Sequence, residues 1–255
     1  MNIQSIKIGF VAALAIAAVG CGTKDAPSPL EPLGPTGRVR FVNLVTDPNR
    51  NPVNAILEGV PFGAGLVYTA STPATLPSPA TALYSAVLSG DRSIVLKKTS
   101  DTNVTVGTIT FTIATGEDRT VYATGGTGGA AVTSFVTTDA NPVPTSSQVE
   151  LRIVNMSPSA GALDYFVTAP NADLSTATPV AANLAYKGVS SYIVLAPGTY
   201  QVRAVPAGTA PGARAASVSA TINNLALAGG TGRTVVTADA ATGGTPIAAF
   251  VLTDR

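Results

Sequence analysis

The sequence predicts an all-β protein with two tandem immunoglobulin-like β-sandwich domains, which follow a signal peptide and a Pro-rich linker. Thr and Val are abundant, and both favour half-buried strands. Only 11% of the 255 residues are charged, too few to hydrate the polar faces of long amphipathic helices. The 25 glycines and 19 prolines supply many turns. One pattern of short strands then occurs twice along the chain.

The signal peptide is predicted over residues 1–20. Lys7 supplies a positive charge, and an uninterrupted run of apolar and small residues follows from Ile8 to Val19. A run of this length is too short to span a bilayer but fits the apolar region of an export signal. The two alternatives are a buried N-terminal helix, which the lack of a polar face disfavours, and an ordinary secretory signal.

The lone cysteine of the chain, Cys21, stands directly after this run. Ala18-Val19-Gly20-Cys21 resembles a bacterial lipobox, in which a peptidase cleaves before the cysteine and its sulfur receives diacylglycerol. Ala18 replaces the usual leucine of that motif. The resemblance implies a lipoprotein held on a membrane by acyl chains at Cys21, without a spanning helix. Gly22 in place of an acidic residue favours the outer membrane or the cell surface.

Residues 21–37 are predicted to form a linker that separates the folded part from the membrane. Four prolines lie within this segment, which prevents both helices and sheet ladders and favours an extended spacer. Acidic and basic residues are nearly equal in number, which gives the whole chain a net charge of only +1, and no stretch of the sequence is rich in basic residues. Nucleic acid is therefore excluded as an expected partner.

The rest of the chain contains four pairs of matching segments that keep their order. Segments 38–44, 84–90, 119–122 and 135–139 align in turn with segments 150–156, 192–198, 233–236 and 250–254. An offset of roughly 110 residues indicates duplication of a whole domain rather than a solenoid. We place the first domain at 38–139, a linker at 140–148 and the second domain at 149–255. About seven short β-rich runs in each copy are typical of an immunoglobulin-like sandwich.

The second copy carries the pattern of a known family. Segments 153–164, 191–203 and 207–209 resemble the bacterial cell-envelope family labelled domain of unknown function 4397. The resemblance covers nearly all of 148–255 and, more loosely, 37–139, where the loop 46–52 and the insertion 71–81 depart from it. It implies an exported protein, often a lipoprotein, with tandem β-sandwiches. The family has no established catalytic residues to carry over.

The absence of histidine excludes most catalytic sets. Without it, neither a Ser-His-Asp or Cys-His arrangement nor a His-ligated metal can be built. No cofactor site is expected. The glycine-rich segment 126–131 loosely matches a dinucleotide loop, but a strand pattern follows where that fold needs a helix. We interpret this segment as a hairpin loop.

Weak candidates for a calcium site lie in the first copy. Asp47, Asn49, Asn51 and Glu58 occupy positions one, three, five and twelve of a calcium-loop spacing. Pro52 stands at the sixth position, where that loop requires glycine, and an ordinary turn uses the same residue types. We therefore predict a turn there and no metal site.

Three tyrosines and two asparagines could each serve either a structural or a ligand-binding role. Tyr84, Tyr192 and Tyr200 could stack on a sugar, but the correspondence of Tyr84 with Tyr192 favours a role in the core. Asn43 and Asn155 also correspond. We predict that each of these asparagines ends a strand and ties a neighbouring loop through backbone hydrogen bonds.

The leading hypothesis is a non-enzymatic, membrane-anchored lipoprotein of the cell envelope that serves as a binding or structural module. Its partners would be the membrane and, beyond that, an envelope protein or a glycan. The first alternative is a glycan- or ion-binding envelope module. The second is a hydrolase that uses only carboxylates, for which Asp101, Glu117 and Asp118, all in expected turns, are the candidates.

Overall fold

The computed structural model describes residues 34–73 and 83–255, and strands dominate both segments. The predicted all-β fold class is confirmed. The signal peptide, Cys21 and most of the predicted linker at 21–37 lie outside the described residues. No helix in the described segments is long and apolar enough to cross a membrane.

Strands are numbered in chain order through the two described segments. The first half contains β1 (Thr36–Val45), β2 (Val53–Leu57), β3 (Val60–Leu66), β4 (Ser71–Thr72), β5 (Ser85–Leu88), β6 (Gly90–Lys98), β7 (Asp101–Ile113), β8 (Asp118–Gly125) and β9 (Val132–Asp139). The second half contains β10 (Val149–Met156), β11 (Leu163–Thr168), β12 (Ala181–Leu184), β13 (Ile193–Leu195), β14 (Gly198–Pro206), β15 (Ala220–Leu227), β16 (Thr231–Ala238) and β17 (Ala248–Thr253). Short 3₁₀ turns occur at Thr127–Gly129 and Pro211–Ser217.

Each half supplies two sheets. In the first half, the inner N sheet has the order β4-β1-β8-β9 with β5 also on β1, and the outer N sheet has the order β3-β2-β6-β7. In the second half, the inner C sheet has the order β13-β10-β16-β17, and the outer C sheet has the order β12-β11-β14-β15. The first and last parts of each half meet in a parallel pair, β1 with β8 and β10 with β16.

An apolar core lies between the two sheets of each half. In the first half, Phe41 and Val121 of the inner sheet pack with Ile94 and Phe111 of the outer sheet. In the second half, Ile153 and Val235 pack with outer-sheet residues in the same way. Burial alternates along the second part of β7, because Ile109, Phe111 and Ile113 are buried while the intervening threonines are exposed. A strand with one buried and one wet face produces this period of two.

The inner sheets also pack against each other through their second faces. This contact forms a third apolar cluster, whose buried members are Val42, Leu44, Tyr122, Val154, Met156, Val236, Ala238 and Leu252. Strands β1, β8, β10 and β16 are therefore covered on both faces, which explains their nearly continuous burial. The described residues beyond the predicted linker at 140–148 belong to the same compact unit as those before it.

The connection between the halves is attached at both ends. The backbone N–H of Asn141 donates to Tyr192 Oη at 3.1 Å, and Gly230 N–H donates to the Gln148 carbonyl at 2.9 Å. Gly229 lies so close to the chain at Ser146 that a Cβ on it would stand 1.8 Å from the Ser146 carbonyl oxygen. Only glycine fits there without moving the connection.

Replacing Gly229 with alanine is expected to lower the free energy of unfolding by about 1–3 kcal/mol, because the added methyl group displaces backbone rather than a side chain. Urea unfolding followed by far-UV circular dichroism measures the effect. Gly212→Ala is the matched control, since nothing lies within 4 Å of a Cβ built there. Equal stability of the two variants would contradict the close approach.

Candidate functional site

Two ion pairs join the halves inside the interface of the inner sheets. Arg40 Nη1 lies 2.9 Å from Asp254 Oδ1, and Arg152 Nη1 lies 2.6 Å from Asp139 Oδ1. Both arginines are 1% exposed. Arg40 lies on β1 and Arg152 at the corresponding place on β10, while the aspartates stand at the ends of β9 and directly after β17. Each half therefore contributes one arginine and one aspartate.

Two threonines connect these pairs into a closed ring. The parallel register places Thr120 beside Arg40 and Thr234 beside Arg152. Thr120 Oγ1 accepts a bond from Arg40 Nη2 at 3.0 Å and donates to Asp139 Oδ2.

Thr234 makes the equivalent two hydrogen bonds between Arg152 and Asp254. Thr234 Oγ1 accepts from Arg152 Nε at 3.3 Å and donates to Asp254 Oδ2 at 2.7 Å. We call Arg40, Thr120, Asp139, Arg152, Thr234 and Asp254 the interface ring.

The corresponding tyrosines cover the two arginines of the ring. The Arg40 guanidinium carbon lies 4.6 Å from the Tyr84 ring centroid, and that of Arg152 lies 5.2 Å from the Tyr192 centroid. Tyr84 Oη also donates to Asp139 Oδ2 at 2.7 Å. Tyr84 is buried and Tyr192 half-buried, so neither offers an open platform for a sugar. Tyr200 is half-buried and donates its hydroxyl to the Ala196 carbonyl.

The ring keeps its carboxylate ionised despite burial. Burial alone would raise the pKa of Asp139, but the charge and hydrogen bond of Arg152 and the hydroxyls of Thr120 and Thr137 hold it below its usual value. Burial alone would lower the pKa of Arg152, but the negative charge of Asp139 outweighs this and raises the pKa of Arg152 above its usual value. Both partners therefore stay charged at neutral pH.

Acid is expected to weaken the fold through this carboxylate. The pKa of Asp139 in the folded protein is below its unfolded value of about 3.9. The ionised carboxylate therefore contributes fully to the free energy of unfolding above the unfolded pKa, and this contribution is lost as the pH falls through the folded pKa. Urea unfolding between about pH 5 and about pH 2 should show a falling free energy of unfolding. Asp139→Asn should flatten this dependence, and an unchanged slope would contradict the assignment.

Among the described residues, three buried polar atoms in this region have no hydrogen-bond partner. They are the Tyr122 hydroxyl, Nη2 of Arg152 and Oδ1 of Asp254, which only faces Arg40 Nη1 as an ion pair at 2.9 Å. Tyr122 stands in the interface cluster, where its second-half counterpart is Val236. Burial raises the pKa of Tyr122, so the hydroxyl remains neutral. Two of these atoms belong to the interface ring, and the third belongs to Tyr122, a residue at which the first half differs from the second.

A small cleft lies where β1 and β10 end, on the other side of the apolar cluster from the ring. Tyr68 and Tyr186 line it together with Leu44, Met156 and Asp239, and its volume is about 80 Å³. The Asp239 carboxylate is already bound by the loop that follows β10, because Ser157 and Ser159 donate their hydroxyls to it. Ligand pockets usually enclose about 300 Å³ or more, so this cleft is too small for a sugar residue.

The loop predicted to be a turn around Asp47 is closed by its own side chains. Asp47 accepts bonds from the Asn49 backbone and from Arg50 Nε at 2.9 and 2.8 Å. Asn51 donates its amide to the Val45 carbonyl at 2.6 Å. Glu58 instead accepts from the Ser93 backbone and lies 3.7 Å from Arg92.

These contacts explain the turn without a cation. Burial would raise the pKa of Asp47, but the Asn49 N–H and the Arg50 guanidinium hold it below its usual range. Arg50 also donates to the carbonyls of Gly126 and Ala130, which anchors the neighbouring hairpin. Within 34–73 and 83–255, no group of three or more acidic or sulfur ligands is arranged to hold a metal ion.

The glycine-rich segment 126–131 is a hairpin loop. It contains a 3₁₀ turn at Thr127–Gly129 and connects β8 to the antiparallel β9. The interpretation as a hairpin is confirmed, since a strand follows where a dinucleotide fold needs a helix.

The corresponding asparagines tie loops as predicted. Asn43 Nδ2 donates to the Leu66 carbonyl at 2.9 Å, and its Oδ1 accepts from the Val45 N–H. Asn155 Nδ2 donates to the carbonyls of Gly161 and Leu184, both at 2.9 Å. Both asparagines are fully buried.

The three candidate carboxylates of a hydrolase are not brought together. Glu117 pairs with Arg119 at 2.9 Å, and Asp118 pairs with Arg38 at 2.7 Å. Asp101 begins β7 and pairs with Lys98, whereas the other end of β7, Ile113, pairs with Gly90, so Asp101 lies about 26 Å from the end of the strand that precedes Glu117. The expectation of turns was wrong for Asp101 and Asp118, because each is the first residue of a strand.

Sequence reasoning missed the interface ring, although its members lie in or beside the matched segments. Arg40 and Arg152 share the strand parity of Val42 and Val154, which face the interface. An arginine at an equivalent inward position in both copies was the available signal.

One family comparison matches the chain. The family model described as "Domain of unknown function (DUF4397)" matches residues 37–166. That segment contains all strands of the first half, the connection, and β10, whereas the residues quoted above for the resemblance lie in the second half. No curated protein matches the chain. The family match extends over half of the sequence, and the chain therefore belongs to the DUF4397 family.

Proposed function

We propose that this chain is an exported lipoprotein of the bacterial cell envelope, anchored through Cys21, whose folded part is a non-enzymatic binding or structural module. The observation that carries the proposal is the amino-terminal sequence. An apolar run follows Lys7 and ends, after the small residue Gly20, at the only cysteine in the chain. Multiple acyl chains on that sulfur would hold the protein at a membrane surface.

We infer further that the two halves are tandem immunoglobulin-like sandwiches derived from one ancestor. The strand order of each inner sheet supports this, since β1-β8-β9 and β10-β16-β17 have the same parallel and antiparallel pairings. The outer sheets also correspond, as β2-β6-β7 and β11-β14-β15. The reciprocal ion pairs of the interface ring are the second support.

The state of the carboxylates supports a non-enzymatic role. General acid–base chemistry requires an acid that is free to exchange protons near the working pH. Arg50, Arg119 and Arg38 pair with Asp47, Glu117 and Asp118. The backbone N–H groups of Asn49 and Ala114, and then the neighbouring arginines, keep the pKa values of Asp47 and Glu117 low. A structural role is favoured over a glycan site because Tyr84 is used inside the interface.

Incorporation of labelled palmitate tests the anchor. Wild type and Cys21→Ser would be produced in a bacterium that processes lipoproteins, then fractionated into membrane and soluble material. We expect label and membrane association only in the wild type. Thr23→Ser is the matched control, since it changes a neighbouring residue and leaves the thiol. Equal labelling of wild type and Cys21→Ser, or a soluble wild type, would overturn the proposal.

A further inference from the structure

We propose that the interface face of each half is complementary to itself as well as to the other half, so that the second partner of these faces is another copy of this chain. The interface faces are the surfaces of the two inner sheets that meet at the interface ring and the apolar cluster. This inference concerns assembly and is independent of lipid anchoring.

The charges of the interface ring are reciprocal. Arg40 of the first half meets Asp254 of the second, and Arg152 of the second meets Asp139 of the first. Arg152 is the counterpart of Arg40, and Asp139 is the counterpart of Asp254, so the second contact is the first with the two halves exchanged. A contact that is unchanged by such an exchange has the form of a two-fold interface. Two first halves brought together in this way would pair Arg40 of one chain with Asp139 of the other, twice.

The uncharged part of the interface follows the same relation. Counterparts along the two faces are Val42 and Val154, Leu44 and Met156, Tyr68 and Tyr186, and Phe135 and Phe250. The threonines of the ring also correspond, and a hydroxyl can both donate and accept. Each face thus offers its own copy most of the apolar surface and the ring hydroxyls that it offers the other half. The counterparts differ at Leu252, which stands where the first half has Thr137, and at Ala238, which stands where it has Thr124.

The largest difference in side-chain volume between the two faces favours pairing within the chain. Tyr122 occupies the place that Val236 has in the second half. Two first halves would bring two tyrosines into the cluster, and two second halves would bring two valines, so one interface is overfilled and the other underfilled. The short connection adds an effective concentration in the millimolar range. Exchange between chains therefore requires the intramolecular contact to open.

An unrelated partner would be poorly matched to this face. It would have to present one cation and one anion at the spacing of Asp139 and Arg40, because leaving either buried without a partner costs several kcal/mol. A second copy of the chain supplies both groups at that spacing. Charge complementarity therefore identifies the partner.

A charge-reversal variant of the full chain tests the proposal. In Arg40→Asp/Asp139→Arg, position 40 meets Asp254 and position 139 meets Arg152 with like charges. Between two chains, position 40 of one meets position 139 of the other with opposite charges, and Arg152 meets Asp254. We expect oligomers with a dissociation constant at least about tenfold below that of the wild type.

The matched control reverses one intramolecular pair. Arg40→Asp/Asp254→Arg keeps opposite charges within the chain and creates like charges between equivalent halves, so it should be no more associated than the wild type. All three proteins would carry Cys21→Ser to prevent lipidation and would be compared at equal concentration by size exclusion with light scattering. A folded double variant Arg40→Asp/Asp139→Arg that is as monomeric as the control would overturn the proposal.

A second measurement covers the case in which the reversed chain does not fold. Wild-type chain carrying Cys21→Ser would be unfolded in urea and refolded at increasing protein concentration. We expect the dimer fraction to rise as the concentration approaches the effective concentration of the tethered halves, roughly millimolar. Refolding to monomer alone at every concentration would then overturn the proposal.

Discussion

Replacing Asp139 with asparagine is expected to lower the free energy of unfolding by about 3–5 kcal/mol, because it leaves a buried guanidinium without its counter-charge. Arg152 is 1% exposed, so bulk solvent does not reach the guanidinium to replace the carboxylate. The same substitution weakens the bonds that Tyr84, Thr120 and Thr137 donate to Asp139. Urea unfolding at neutral pH measures the loss.

Comparing a single with a double variant separates the cost of an unpaired charge from the cost of altered packing. Removing both charges in Asp139→Asn/Arg152→Met should cost less than Asp139→Asn alone, since no unpaired charge then remains. Asp91→Asn is the matched control, because Asp91 is exposed and its change should fall within about 0.5 kcal/mol. A loss below about 1 kcal/mol for Asp139→Asn would mean that water reaches Arg152.

The sequence predicted well those parts of the fold that depend on local pattern. The run 53–57 coincides with β2, and the alternation in 108–113 coincides with the buried and exposed faces of β7. Strands β3 and β12 were not predicted. β3 contains Pro61 and two glycines, which weaken a strand signal, and it pairs only with β2 at the edge of its sheet.

The interface ring was missed for a different reason. A charged residue at one position of a strand ordinarily marks the wet face, and an inner face covered by another sheet has no local signature. The repeat placed Arg40 and Arg152 at equivalent positions, but which half each one contacts depends on how the sheets dock. The role of Asn43 and Asn155 was predictable because an amide near a strand end bonds backbone groups of its own half, whichever way the sheets dock.

Replacing Asn155 with alanine is expected to lower the free energy of unfolding by about 2–4 kcal/mol, because several buried backbone groups lose their only side-chain partner. Its amide nitrogen bonds the carbonyls of Gly161 and Leu184, and its oxygen accepts from the Ser157 N–H at 3.1 Å. Bulk solvent does not reach these groups, since the side chain is fully buried. Thermal and urea unfolding both measure the change.

A control variant and a counterpart variant show whether the loss of stability in Asn155→Ala comes from these hydrogen bonds. Asn103→Ala is the matched control, because Asn103 is an exposed strand residue and its loss should be within about 0.5 kcal/mol. Asn43→Ala should behave like Asn155→Ala, since Asn43 bonds the Leu66 carbonyl and the Val45 N–H in the same way. If Asn155→Ala were as stable as Asn103→Ala, the asparagine would not be what holds the loops against β10.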